Sequence, residues 1–412
     1  MEEVYKREQR GEPRGAALYN LYMSTEGPPP SSHESTLLLP EGTRLLHIGP
    51  HKTGTTSLQN SIRANREEIL RQGVYYGAPE GRLASNRIAR SLLRLPFKNP
   101  DEIVEYEEWE DQVARVRASS ARRVIVSGEE FSFCEKREIR TLLNDLGKDR
   151  VHVVVTVRPL AKVLPSQWQL DLRGSFTSGS FDEWLRWTLK PQGLRKIAML
   201  LGIPHPFWFR HRHDELVTRW AAEVGADRVT VVIGDDRDHR VLLRAFERLL
   251  GLTDGTLLSV DGKSNPSLSA EEIAIILRVQ QILLERHLIF AERVRSRQIQ
   301  RRLLAQRPRS PSDSKIVIPG WAVESVREAS QKIHDGLLAS GVRIIGDPSL
   351  LLAANAPKPG GKPLDRSEIE SAAQRMAAEL EADGKLQPGQ KKTSAARALT
   401  KALRRLSRRV GN

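Results

Sequence analysis

The sequence predicts an α/β fold of three layers: a mostly parallel central sheet between helices, followed by a helical C-terminal extension. Two observations predict it. Short β-branched or apolar runs alternate with longer segments of helical periodicity, as they do when parallel strands are joined by crossover helices. The first run, RLLHIG (44–49), also stops at a glycine-containing loop from which a helix opens. That helix carries apolar residues at Leu58, Ile62, Ile69 and Leu70, with Gly73 as its stop.

The remaining elements follow in order. VYY (74–76) is a short aromatic strand, 104–119 a helix and RRVIVS (122–127) a buried strand. A helix over 136–146 precedes VHVVVTV (151–157), the strongest strand in the chain, and a helix over 160–172 follows it. RVTVVIG (228–234) is another β-branched run, with a helix over 241–250 after it. A long helical pattern covers 267–306 and another covers 321–340, and GVRIIGD (341–347) reads as a last strand or a closing turn. A Pro/Gly-rich linker, APKPGGKPLD (356–365), leads to two helical segments, 366–382 and 395–409. The organisation expected is therefore a polar N-terminal extension (1–40), a P-loop-containing α/β domain (41–355), and a linker with a basic helical tail (356–412).

Composition narrows the function classes. Of 412 residues, 39% are hydrophobic and 28% charged, enough for a sizeable core and against whole-chain disorder. No apolar run approaches the ~18 residues of a membrane-spanning helix, and no secretory signal is visible in MEEVYKREQRGEPRG, so none is expected. A single cysteine, Cys134, excludes an internal disulfide framework or a Cys-rich metal site. The compartment expected is the cytoplasm. Net charge is 65 − 51 = +14. Residues 390–412 hold eight bases and no acid, and 293–309 hold seven Arg and no acid. Such patches suit an anionic ligand, nucleic acid or membrane. The 395–409 helix has Ala and Leu on its apolar face and no aromatic anchor, so the expectation is weak contact with an anionic membrane surface. No specific nucleic-acid partner is expected.

The segment that carries chemistry is HIGPHKTGTTS (47–57). Backbone N–H groups at a helix start, with small hydroxyl side chains, form an anion cradle. Gly49 and Gly54 have the spacing of the nucleotide-binding loop G-x-x-x-x-G-K-[ST], but Thr55 stands where the lysine belongs. The loop's lysine is Lys52, inside the turn. That placement suits a single 5′-phosphate bearing a transferable group better than a magnesium triphosphate. His47 lies within the strand and reads as structural.

Pro50-His51-Lys52-Thr53-Gly54-Thr55-Thr56 resembles the P-K-[ST]-G-T-T loop of the PAPS-dependent sulfotransferase superfamily, with His51 as an inserted residue. The resemblance implies that His51, Lys52, Thr53, Gly54, Thr55, Thr56 and Ser57 bind the 5′-phosphosulfate of 3′-phosphoadenosine 5′-phosphosulfate (PAPS). It further implies that Lys52 stabilises charge on the leaving oxygen and that no metal is required. A second match follows the strongest strand: Arg158 just past its end and Ser166 eight residues later resemble the pair that holds the 3′-phosphate. A guanidinium forks onto phosphate and a hydroxyl adds a donor. Two departures stand out. Ser57 replaces the tryptophan that cytosolic members often carry after the Thr pair, and no clean R-K-G segment follows, Lys263 being a substitute. Both point to the bacterial and carbohydrate-type branches.

Sulfuryl transfer needs a base, which the family places just after a central strand. Here Glu129 or Glu130 after RRVIVS is that residue, with a pKa expected to rise in a partly dry cleft. His51 is an alternative proton acceptor. His211 and His213 would need a third ligand to hold a metal. Trp168, Trp184, Trp187 and FWF (207–209) either line an acceptor cleft or pack the core. The acceptor implied is a hydroxyl or amine of a small molecule, glycan or lipid. Two rival readings are a kinase-like phosphotransferase, with Glu129-Glu130 as magnesium ligand, and a non-catalytic docking protein acting through its basic tail.

Overall fold

The computed structural model describes residues 37–78, 84–95, 104–174, 179–190, 207–238, 240–258, 267–286, 288–290, 314–353, 365–383 and 386–388. The strands are β1 (Arg44–His47), β2 (Val74–Tyr76), β3 (Arg123–Ser127), β4 (Val151–Val157), β5 (Val229–Ile233), β6 (Leu288–Phe290), β7 (Arg343–Ile345) and β8 (Leu386–Pro388). The helices are α1 (Thr55–Ala64), α2 (Arg66–Arg71), α3 (Ala84–Leu92), α4 (Glu107–Ala118), α5 (Lys136–Leu146), α6 (Leu160–Gly174) and α7 (Phe181–Thr188). They continue as α8 (Phe207–His211), α9 (His213–Val224), α10 (Val241–Leu250), α11 (Ala270–Glu285), α12 (Val323–Ala339) and α13 (Arg366–Ala382).

Six strands form one sheet in the order β2-β3-β1-β4-β5-β7, and every pairing in it is parallel. A parallel sheet is covered on both faces, and the register shows how. Leu45, Ile125, Val154 and Val232 point to one side, where Leu58 and Ile62 of α1 and Phe246 of α10 meet them. Leu46, Val126, Val153 and Val231 point to the other, against α5, α6 and α9. Fully burying one such apolar side chain stabilises by about 1.5–3 kcal/mol. The layering therefore follows from period-two alternation in runs that are apolar throughout.

From β1 the chain goes out to the edge strand β2, returns to β3, and then crosses β1 to reach β4. Loops leaving β1 and β3 run to helices on opposite faces, since α1 and α5 lie in different core layers. This is the switch point at which open α/β sheets place their ligands, beyond the carboxyl ends of the strands.

The long helix expected over 267–306 is corrected. α11 ends at Glu285, and Leu288–Phe290 is a strand paired antiparallel with Leu386–Pro388. Its apolar, partly β-branched and aromatic residues find a partner from the far end of the chain, which periodicity along one segment does not reveal. α13 packs on α11 through buried Ala373, Met376, Ala377 and Leu380, and Arg278 pairs with Glu370 at 2.6 Å. No helix of the described residues is long and apolar enough to cross a membrane. The basic segments 293–309 and 390–412, and Lys263, lie outside the described residues.

Candidate active site

The loop after β1 is tied to the sheet by one chain of hydrogen bonds. Gln59 Nε2 donates to Ser127 Oγ at 3.0 Å, and Ser127 Oγ lies 2.8 Å from His47 Nδ1. His47 Nε2 meets Thr156 Oγ1 at 3.2 Å, Thr156 meets Thr53 Oγ1 at 2.8 Å, and Thr53 donates to the Pro50 carbonyl at 2.8 Å. Every donor finds an acceptor if His47 is neutral with its proton on Nε2. Burial supports that state, lowering its pKa to about 4. His47 and Thr53 are thus positioning residues.

Gly49 makes this close approach achievable. A Cβ there would lie 1.9 Å from Thr156 Oγ1 and 2.7 Å from His47 Nε2. Gly49→Ala is therefore expected to cost roughly 1–3 kcal/mol through overpacking and to break the chain at Thr156, as a denaturant melt would show. Lys52 and Gly54 both take left-handed backbone angles, φ 71° and 97°. The second turns the chain into α1, whose start carries no side-chain cap, with Thr56 and Ser57 exposed. Its first N–H groups and the positive end of its dipole are what an anion would meet.

Glu129 and Glu130 open a 3₁₀ turn, Glu129–Phe133, directly after β3 and are buried there. Glu129 is fully engaged: Thr55 donates to Oε1, and His51 Nδ1 pairs with Oε2. Glu130 Oε1 accepts from Arg90 Nη2 at 2.7 Å and lies 3.6 Å from His51 Nε2. Its other oxygen, Oε2, is buried with no hydrogen-bond partner. The sequence thus brings His51, Thr55, Glu129 and Glu130 into one cluster between the β1 and β3 loops.

The electrostatics reverse one expectation. Burial does push both carboxyls up, but the charge and hydrogen bonds of His51 outweigh it, with help from Arg90 and Arg210 at Glu130, and both end lowered to about 2. His51 is the mirror case. Burial pushes it down, and the Glu129 charge then lifts it to about 9. The Glu129 charge thus favours the protonated form of His51, which argues against it as the proton acceptor.

Arg158 stands just past β4, where Nε donates to Asp236 Oδ1 at 3.1 Å; Lys162 Nζ lies 3.5 Å from the same carboxylate. Ser166 is half-buried on α6. Asp236, Arg90, Arg210 and Asp171 escaped sequence reasoning. A charge interrupting an aromatic run, as Arg210 does in FWFRH, was the available signal. The aromatics themselves are mostly core: Trp168, Trp184 and Phe207 are buried, and Trp184 Nε1 donates to Asp171 at 3.0 Å. Among the described residues no group of three metal-ligating side chains forms, His211 and His213 included.

No family model and no curated protein matches the chain. Among solved structures, the chain is similar to a sulfotransferase from Alicyclobacillus acidocaldarius at 15% identity, over 59% of this chain and 94% of that one, with a TM-score of 0.36.

Proposed function

We propose that the protein is a sulfotransferase that moves the sulfuryl group of PAPS to a hydroxyl or amine of a small-molecule, glycan or lipid acceptor in the cytoplasm. The observation that carries this reading is the loop Pro50–Ser57 at the switch point, opening an uncapped helix beside a buried carboxylate pair. Backbone N–H groups of Gly54 to Thr56, the Thr56 and Ser57 hydroxyls and Lys52 hold the 5′-phosphosulfate, the Ser57 N–H being bonded to the Gly54 carbonyl at 3.1 Å. Thr55 contributes only its backbone, its hydroxyl being committed to Glu129. Arg158 and Ser166 hold the 3′-phosphate.

In the transfer the acceptor oxygen or nitrogen attacks sulfur in line with the departing phosphate. The new bond to sulfur forms as the sulfur–oxygen bond to phosphate breaks, and that oxygen leaves with the electron pair as 3′,5′-ADP. Lys52 stabilises the leaving charge. The acceptor's proton goes to Glu130 Oε2, the one oxygen of the glutamate pair with no donor on it. A kinase would use the same pair on magnesium, but both oxygens of Glu129 are already engaged by Thr55 and His51.

Thermal denaturation with 3′,5′-ADP tests the reading. At a hundredfold excess over Kd the bisphosphate is expected to stabilise wild type by ~2.7 kcal/mol without magnesium, and Arg158→Ala much less. Asp236→Asn frees Arg158 from a partly exposed pair worth about 0–1 kcal/mol, so the bisphosphate should bind up to about fivefold tighter. Stabilisation by magnesium ATP alone would transfer the assignment to a kinase. A response to neither would leave the docking reading and the basic tail.

A further inference from the structure

Arg210 is the least satisfied charge near this site. It is 4% exposed, its Nε has no hydrogen-bond partner, and its guanidinium lies 4.5 Å over the Phe133 ring. Phe133 closes the same 3₁₀ turn that Glu129 opens. Arg219 of α9 fixes that turn to the α8–α9 corner by donating to the carbonyls of Cys134 at 3.1 Å and Ser132 at 3.2 Å. Glu130, Asp171 and Glu129 all act on Arg210 electrostatically, yet none of them forms an ion pair with it among the described residues.

The carboxylates around it are largely spoken for. Glu129 is held by Thr55 and His51, and Asp171 accepts from Gln167 at 2.8 Å and Trp184 at 3.0 Å. What stays unmatched is the Arg210 Nε–H, and two buried acceptor atoms of the same cluster, Glu130 Oε2 and Gln167 Oε1, lack donors. A buried guanidinium N–H without an acceptor is expensive, and a ligand oxyanion relieves that cost. Of the carboxylates that act on Arg210, Glu130, the base of the proposed transfer, acts most strongly, so a ligand oxyanion at Arg210 belongs to the acceptor.

We propose that Arg210 binds an oxyanion, a carboxylate, sulfate or phosphate group, carried by the acceptor, whose hydroxyl or amine then lies at Glu130 Oε2. The inference rests on the sulfotransferase reading for the word acceptor, whereas the oxyanion site itself stands on Arg210. The acceptor is thereby an acidic hydroxyl or amine compound, and the net charge of +14 favours its approach.

The test uses the full-length protein and inorganic sulfate as probe, against chloride at matched ionic strength, with and without saturating 3′,5′-ADP. Wild type should be stabilised saturably by sulfate with the nucleotide bound. Arg210→Gln should weaken sulfate binding by about 10- to 100-fold, the loss of a charge-assisted bond, while leaving 3′,5′-ADP affinity unchanged. Arg210→Lys, which keeps the buried charge, should fall between and serves if the glutamine protein does not fold. Lys52→Ala should keep the sulfate response. Loss of that response in Lys52→Ala but not in the Arg210 variants would put sulfate at the donor's vacated sulfuryl position and overturn the proposal. No saturable response in wild type, or an equal response in wild type and both Arg210 variants, would also overturn it. The sulfotransferase reading fails on a different result, the absence of any response to 3′,5′-ADP, and the sulfate arm without nucleotide still reports on Arg210.

Discussion

His51→Ala is expected to cost about 3–5 kcal/mol, because removing one member of a buried ion pair leaves the others uncompensated. Two buried glutamates face that imidazolium, and only Glu130 retains a second cation in contact, Arg90. Sign and pH range follow from the shifts. His51 is raised from 6.5 to about 9, so its contribution is complete below pH 6.5 and is lost as pH rises through about 9. Glu129 and Glu130 are lowered from 4.5 to about 2, so theirs is complete above pH 4.5 and is lost as pH falls through about 2. The stability gap between wild type and His51→Ala should thus be widest between about pH 4.5 and 6.5 and shrink towards alkaline pH. Urea melts across that range measure it. A gap constant from pH 6 to 10 would show that His51 acts by packing rather than by charge.

The same cluster shows where sequence reading succeeds and where it stops. Strands buried on both faces leave a plain record, so VHVVVTV (151–157) is β4 to the residue, and the Gly49–Gly54 spacing marks the loop because chain geometry there is local. Local signals also place Glu129 and Glu130 just past a strand. Their partners are not local. Thr55 lies 74 residues from Glu129, Arg90 lies 40 from Glu130, and Arg210 arrives from a separate helix. Burial alone argues for raised carboxyl pKa values, which is what composition suggests. The opposite sign comes from His51, placed by a loop whose shape depends on Thr156 in another strand. Asp236, which neutralises Arg158, likewise enters from the loop after β5, and β6 is a strand only because β8 returns to pair with it.

Glu130→Gln is expected to lower turnover by about 10²-fold, the low end for a positioned base because a carboxylate held near pKa 2 is a weak one, while 3′,5′-ADP binding stays near wild type. In free energy that is roughly 3 kcal/mol of transition-state stabilisation. The glutamine keeps the volume and can still accept from Arg90, so the defect should fall on kcat rather than on KM. Glu129→Gln makes the contrast. Glu129 is saturated by Thr55 and His51, so its loss should appear chiefly as lower stability and a lower His51 pKa. The wild-type pH–rate profile discriminates further. With Glu130 ionised above about pH 2, turnover should be level from pH 5 to 8 and change only as His51 discharges near 9. An acid limb near pH 6–7 would assign the base to another group and return Glu130 to a purely structural role beside Arg90.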